Sequence, residues 1–321
     1  AQKAGTSALL DTLEKHPQIL PSIKFEPHFF ERYTSGIMQA NRRAHLTQEE
    51  GLCQMRKSYA DHFNFSGVDL NNRTVYAFEK TPSYLPLGRI RGISRQLRDI
   101  CFWNIKIIAV LRDPVERVWS EFLMTQPVHN REKVPNITQF HSKLLTELKR
   151  LRQYNLTAIN IDSFYNESIM NEPFGSLVPS IKNRSEEEDK ALGMRHKMTW
   201  EQRTSLLTRG MYALQVHWWL QDFAKRDFMV LKYDDLYSEK GPQVFDSLLD
   251  FVGIEKGVIA LPDSFRERRS KSRHIAIPDL TRRFLESFFR PYNELIMDVL
   301  GDEWKGWPER VGNESQLTSN L

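Results

Sequence analysis

The sequence predicts an α/β protein: a P-loop-like, doubly wound parallel sheet flanked by helices, in one domain over residues 1–321 with a surface insertion. Three observations point there. Short apolar runs of strand length alternate with segments of helical periodicity. The clearest run, Ile105–Leu111, is almost unbroken, as expected of a strand covered on both faces. Two strand-to-helix junctions, Lys3–Ala8 and Arg112–Ser120, bring cations and hydroxyls to the carboxyl ends of strands, where such sheets bind ligands.

Ser7–His16 sets Leu9, Leu10 and Leu13 on one face and stops at Pro17, which predicts a helix. Ile23–Phe30 reads as extended. Thr47-Gln48-Glu49-Glu50 is a capping box for a helix reaching about His62. Val75–Phe78 is a short strand and Pro86–Leu97 a helix. After the Ile105–Leu111 strand, Pro114 at a first helical position opens a helix to about Met124. Gln126–Met198 is the expected surface insertion, because it holds four glycosylation sequons and the charged run Ser185–Lys190 around one helical stretch, Thr138–Gln153. A helix at Arg209–Ala224, a strand at Phe228–Tyr233, a helix at Gln243–Val252 and a helix over Pro278–Leu300 interrupted at Pro291 complete the chain. The strand expected ahead of Lys3 is not in the sequence, so the chain reads as an excised domain with its first strand truncated.

Composition narrows the function. Lys and Arg number 45 against 41 Asp and Glu, a formal charge of +4 spread along the chain. Nucleic-acid binding as the main function is thereby excluded, while a local basic cleft for an anionic substrate is not. No run approaches the roughly 20 apolar residues that cross a bilayer. Cys53 and Cys101, the only cysteines, exclude a disulfide-dense scaffold and a cysteine zinc cluster, and leave open one disulfide or two free buried thiols. No metal-ligand spacing is present, so no metal is expected. Seven of the fifteen asparagines lie in sequons, at Asn64, Asn72, Asn136, Asn155, Asn166, Asn183 and Asn313, which favours the secretory lumen.

In Lys3-Ala4-Gly5-Thr6-Ser7-Ala8, Gly5 permits a tight turn and the following N–H groups open a helix beside the Lys3 charge, an arrangement that binds phosphate. It is not a Walker A loop, and an ordinary capped surface helix would share these features. Arg112 ends the buried strand and Ser120 follows two helical turns later, so both could reach one anion; Arg112 could instead pair with Asp113 or Glu116. Asp234-Asp235, after the late strand, reads as helix capping, and Trp218 and Trp219 as core packing.

Together these segments resemble the sulfotransferase signatures K-x-G-T-x-x-L and R-D-P-x-x-R-x-x-S. The likeness is greatest to the Golgi glycosaminoglycan sulfotransferases of the heparan sulfate N- and 3-O-type. Glu26-Pro27-His28-Phe29-Phe30 is similar to that group's E-x-x-F-F segment, and Glu79-Lys80-Thr81-Pro82-Ser83-Tyr84 to its E-K-[ST]-x-x-Y segment. Arg209–Leu220 resembles its G-x-Y…W-L helix, and Lys271-Ser272-Arg273-His274 its late K-G-R loop. The resemblance implies that Lys3, Gly5, Thr6, Ser7 and Ala8 hold the 5′-phosphosulfate of 3′-phosphoadenosine 5′-phosphosulfate (PAPS), and that Arg112 and Ser120 hold its 3′-phosphate. Lys271 and Arg273 would close over the nucleotide, Glu26 would be the catalytic base, and Lys80 would face the transferring group; His28, beside aromatics, reads first as a satisfied core histidine, with acceptor contact the weaker alternative. It implies further a carbohydrate acceptor, no metal, and a Golgi type II protein anchored by a segment outside this chain.

These residue types suit sulfuryl transfer, an in-line displacement in which charge grows on the leaving phosphate and the acceptor loses a proton. Lys3 and Lys80 oppose the charge, and Glu26, expected to have a raised pKa among Phe25, Phe29 and Phe30, takes the proton. Departures from the family pattern are Ser272 in place of the loop glycine, the lack of cysteine in Leu261–Ser270, Ser7 where the 3-O group has Arg, and a long insertion. Acceptor specificity therefore does not transfer. Two alternatives are a catalytically idle glycan-binding relative and, disfavoured by the absent Walker A lysine, a P-loop nucleotide kinase.

Overall fold

The computed structural model describes residues 3–66, 68, 74–88, 92–101, 105–125, 135–153, 206–263, 265 and 276–308. Its four described strands pair in parallel, as the alternation of strands and helices requires. β1 (Ile19–Pro21) lies beside β2 (Tyr76–Phe78), with Ile19 opposite Tyr76. β3 (Ile107–Leu111) lies beside β4 (Phe228–Lys232), with Leu111 opposite Lys232. Among the described residues these are two separate ladders, flanked by helices.

The helices follow the apolar periodicity. α1 (Thr6–Leu13) buries Leu9, Leu10 and Leu13; α2 (Phe29–Arg32) and α3 (Thr34–Arg43) follow the loop after β1. α4 (Gln48–Ala60) is closed by both hydrogen bonds of the Thr47–Glu50 capping box. α5 (Tyr84–Leu87) and α6 (Ile93–Ile100) lead to β3, and α7 (Pro114–Met124) leaves it with Asp113 Oδ1 accepting from Val115 N at 2.8 Å. Then come α8 (Ile137–Gln153), α9 (Tyr212–Asp222), α10 (Tyr233–Leu236), α11 (Gly241–Val252) and α12 (Asp279–Leu300).

α9 divides the interior. Tyr212, Ala213, Val216 and Trp219 join the core around both ladders, α1 and α11, while Leu214 and Trp218 join a second core made by α7, α8 and α12. Both tryptophans are therefore packing residues, as expected. α8 contributes Phe140, Leu144, Leu148 and Leu151 to that second core. The segment expected as a surface insertion thus supplies a core helix; its residues 154–198 lie outside the described ones.

Other expectations need correction. α1 stops at Leu13, and His16 turns inward to bond the Glu255 carbonyl at 2.9 Å. The segment expected to be extended over Ile23–Phe30 ends in helix, since Phe29 and Phe30 enter the core on α2, and the strand lies earlier, where pairing with Tyr76–Phe78 fixes it at residues 19–21; Ile23 N donates to the His62 carbonyl. The helix read at Pro86–Leu97 is two, with Gly92 at φ 60° opening the second. Pro291 does not interrupt α12, whose buried Phe288, Phe289, Tyr292 and Ile296 lie on both sides of it. Cys53 and Cys101 are unpaired; Cys53 is exposed, and burial pushes the Cys101 thiol up to about 12.

A buried ionic cluster joins α7 to the chain entering α9. Glu121 accepts from Arg117 and, at 2.8 Å, from Arg209, while Arg117 also donates to the Leu206 carbonyl. Glu147 of α8 accepts from the N–H groups of Leu207 and Thr208, both at 2.9 Å. Removing one member of such a set strands the others without compensation. Glu121→Ala is expected to destabilise the protein by about 3–5 kcal/mol in urea unfolding, and a loss below about 1 kcal/mol would contradict a structural role for the cluster.

Candidate active site

The loop ahead of α1 has two residues of positive φ, Lys3 at 65° and Gly5 at 73°. No side chain caps the first turn of α1, so its N–H groups are available to an anion. Gly5 is required twice over: the positive φ favours glycine, and the Tyr237 ring occupies the space a Cβ would need. Tyr237 stacks on Tyr233 with centroids 4.2 Å apart, and the Arg112 guanidinium lies 5.1 Å from the Tyr233 ring. One aromatic pair at the two ends of α10 thus braces both Gly5 and Arg112. The loop and Arg112 also touch directly, since Arg112 Nη1 donates to the Lys3 carbonyl at 3.3 Å.

Arg112 also makes the ion pair with Glu116 that the sequence left open, at 3.7 Å, and Glu116 is held by Arg282 at 2.7 Å. Burial and the neighbouring Arg112 charge lower the pKa of Lys3. Two cations beside an uncapped helix start can bind an anion there, Lys3 and the N–H groups of residues 5–8 on one side and Arg112 on the other. Thr6 and Ala8 open α1, and Ser120 sits partly buried on α7. Lys271 and Arg273 lie outside the described residues.

Lys80 follows β2 directly and is only 7% exposed. Its Nζ donates to Ser7 Oγ at 3.0 Å and to Glu26 Oε1 at 2.6 Å, and lies 3.8 Å from the centre of the Phe25 ring. Glu26 Oε2 meets His28 Nε2 at 3.3 Å, and His28 Nδ1 meets Glu31 Oε1 at 3.3 Å. Ser83 donates to that same Glu31 oxygen. His28 is in left-handed backbone at the start of α2, and its N–H donates to Thr81 Oγ1 at 3.4 Å.

The Glu26 carboxyl differs from expectation. Partial burial acts to raise its pKa, but hydrogen bonds from His28 and Lys80 outweigh that and leave it below the ordinary value. The aromatic burial foreseen for it is not there: Phe29 and Phe30 are core residues, and Phe25, which shares the Lys80 ammonium with Glu26, is exposed. The bonds to Glu26 and Glu31 hold His28 up at about 9. The sequence reading missed Glu31, Ser83, Tyr233 and Tyr237. Glu31 three residues after His28, and two tyrosines four apart after β4, were the available signals; nothing in the sequence marked Arg282.

Among the described residues no three His, Cys, Asp or Glu side chains converge as metal ligands. No described helix is long and apolar enough to cross a membrane. Asn64 and Asn136 are exposed; the other five sequons lie outside the described residues. Asp234 and Asp235 sit in the first turn of α10.

Comparison with known proteins gives a consistent result. The family model described as "Sulfotransferase domain" matches residues 1–272. Human carbohydrate sulfotransferase 15 is 21% identical over 340 residues, covering 95% of this chain and 53% of the relative. Human heparan sulfate glucosamine 3-O-sulfotransferase 3B1 is 24% identical over 333 residues, covering 95% of this chain and 63% of the relative. The chain thus spans between half and two thirds of these relatives. A sulfotransferase from Alicyclobacillus acidocaldarius superposes with a TM-score of 0.54 at 20% identity, covering 95% of each chain, which supports the fold.

The geometry around His28 has a pH signature. A histidine raised from 6.5 to about 9 adds stability that is complete below 6.5 and is lost as pH rises through about 9. The Tm difference between the wild type and His28→Gln should therefore be widest near about pH 6 and close by about pH 10. A difference that stays constant over that range would mean that the His28 charge does not stabilise the fold.

Proposed function

The chain belongs to the sulfotransferase domain family, and from that premise we propose that it moves a sulfuryl group from PAPS to a hydroxyl or amine of a carbohydrate. The observation that carries this reading is the Lys80 ammonium, which touches Ser7 at the phosphate-binding helix and Glu26 on the acceptor side. A donor and an acceptor meeting at that ammonium are aligned for in-line displacement. The names of the relatives favour a carbohydrate acceptor, and seven sequons favour the secretory lumen.

When bound, PAPS supplies the sulfuryl group, whose bond to the 5′-phosphate breaks as the acceptor oxygen or nitrogen bonds to sulfur. Lys3 and the N–H groups of residues 5–8 hold the negative charge left on that phosphate. Arg112, Ser120, Lys271 and Arg273 are assigned to the rest of the nucleotide. Glu26 receives the acceptor proton. Its depressed pKa keeps it ionised at neutral pH, and its proton affinity rises when Lys80, which already holds Ser7, releases Oε1 for the leaving oxygen. His28 fixes Oε2 meanwhile.

Transfer of labelled sulfate from PAPS to a panel of polysaccharides tests the assignment. Glu26→Gln and Lys3→Ala should each lower the rate by about 100-fold or more. Equal rates in the wild type and both variants would remove the site assignment. Tight binding of adenosine 3′,5′-bisphosphate without transfer would indicate an idle glycan-binding relative, and preference for ATP a kinase.

A further inference from the structure

Phe25 is the residue the proposed chemistry leaves unused, although it stands immediately before the proposed base. Its neighbours along the sequence, Phe29 and Phe30, are 0% and 2% exposed, whereas Phe25 is 53% exposed. Exposed apolar rings are common singly, and what sets Phe25 apart is its place against the Lys80–Glu26 ion pair. One face of the ring is taken, since the Lys80 ammonium lies 3.8 Å from its centre. The ring's exposure leaves its other face to solvent.

The ring also lies where an acceptor must pass. Glu26 Oε1 and the Phe25 ring both rest against the Lys80 ammonium, so a sugar whose hydroxyl or amine reaches Glu26 brings its ring over Phe25. Two other apolar side chains near it in sequence are also exposed: Ile23, on the same loop, at 66%, and Tyr33, at the end of α2, at 38%. Tyr33 OH accepts from Lys24 Nζ at 3.3 Å, which sets a cation on this rim. Sugar rings present one face of C–H groups with slight positive charge, and that face matches the negative face of an aromatic ring.

We propose that Phe25 is a stacking platform for the acceptor, seating the sugar ring that carries the reacting group with its C–H face on the open side of the phenyl ring. This rests on the sulfotransferase reading above. Phe25 is thereby a determinant of acceptor affinity, and the nucleotide site is independent of it.

The test is steady-state kinetics with PAPS and whichever of heparan sulfate or chondroitin sulfate is sulfated faster. Phe25→Ala should raise the acceptor KM about tenfold and leave the KM for PAPS within about twofold, and Phe25→Trp should restore the acceptor KM. A fall in kcat with acceptor KM unchanged would show that the ring only covers Lys80, and would overturn the platform, as would no change at all. If the wild type transfers no sulfate, binding of heparan sulfate to immobilised protein decides the matter separately. Binding weakened about tenfold by Phe25→Ala would retain the platform while the transfer reading fails; equal binding by both proteins, or none, would overturn the platform too.

Discussion

The Lys80 ammonium is the contact on which the site depends. A lysine this buried is tolerated only where anions and polar oxygens replace its water, and here Glu26 and Ser7 do so from two different parts of the chain. Each partner is placed by a separate element: Ser7 by the start of α1, Glu26 by the loop between β1 and α2, and Lys80 by the end of β2. Parallel pairing of β1 with β2 brings the last two into reach, because Pro21 lies opposite Phe78 and both strands leave the ladder at the same end. The site is therefore a product of one short ladder and one helix start.

A second layer fixes the positions of Arg112 and the loop ahead of α1. β3 delivers Arg112 from a buried strand end, and β4, its parallel neighbour, delivers Tyr233 and Tyr237 one turn of helix later. These two rings press on Arg112 and Gly5, so the spacing between Arg112 and the loop ahead of α1 is set by packing as well as by the Arg112 bond to the Lys3 carbonyl. Behind them, the Arg117–Glu121–Arg209 cluster holds α7 against the chain entering α9. The motif arginine Arg117 is wholly interior, which makes it a structural ion and leaves Arg112 as the cation facing the loop.

Much of this was legible in the sequence because it depends on local chemistry. The Thr47–Glu50 capping box, Pro114 at the start of α7, the apolar run of β3 and the turn at Gly5 each have a near-neighbour cause, and all are found in the structure. What failed depends on distant partners. The register of β1 follows from Tyr76–Phe78 some sixty residues later, which periodicity cannot reveal. The lowered pKa of Glu26 follows only in part from a distant partner: hydrogen bonds from His28, two residues on, and from Lys80, far along the chain, together outweigh its burial. α8 escaped as a core helix because sequons and charges around it read as surface, although its own Phe140, Leu144, Leu148 and Leu151 keep helical spacing.

The central claim is that one nucleotide spans the start of α1 and Arg112, with its sulfuryl end facing Lys80. A crystal structure with adenosine 3′,5′-bisphosphate tests it most directly. The account predicts the 5′-phosphate on the N–H groups of residues 5–8 beside Lys3, the 3′-phosphate against Arg112 and Ser120, and Lys80 turned from Glu26 towards the 5′-phosphate. A bisphosphate bound elsewhere, or bound here with its two phosphates reversed, would contradict it.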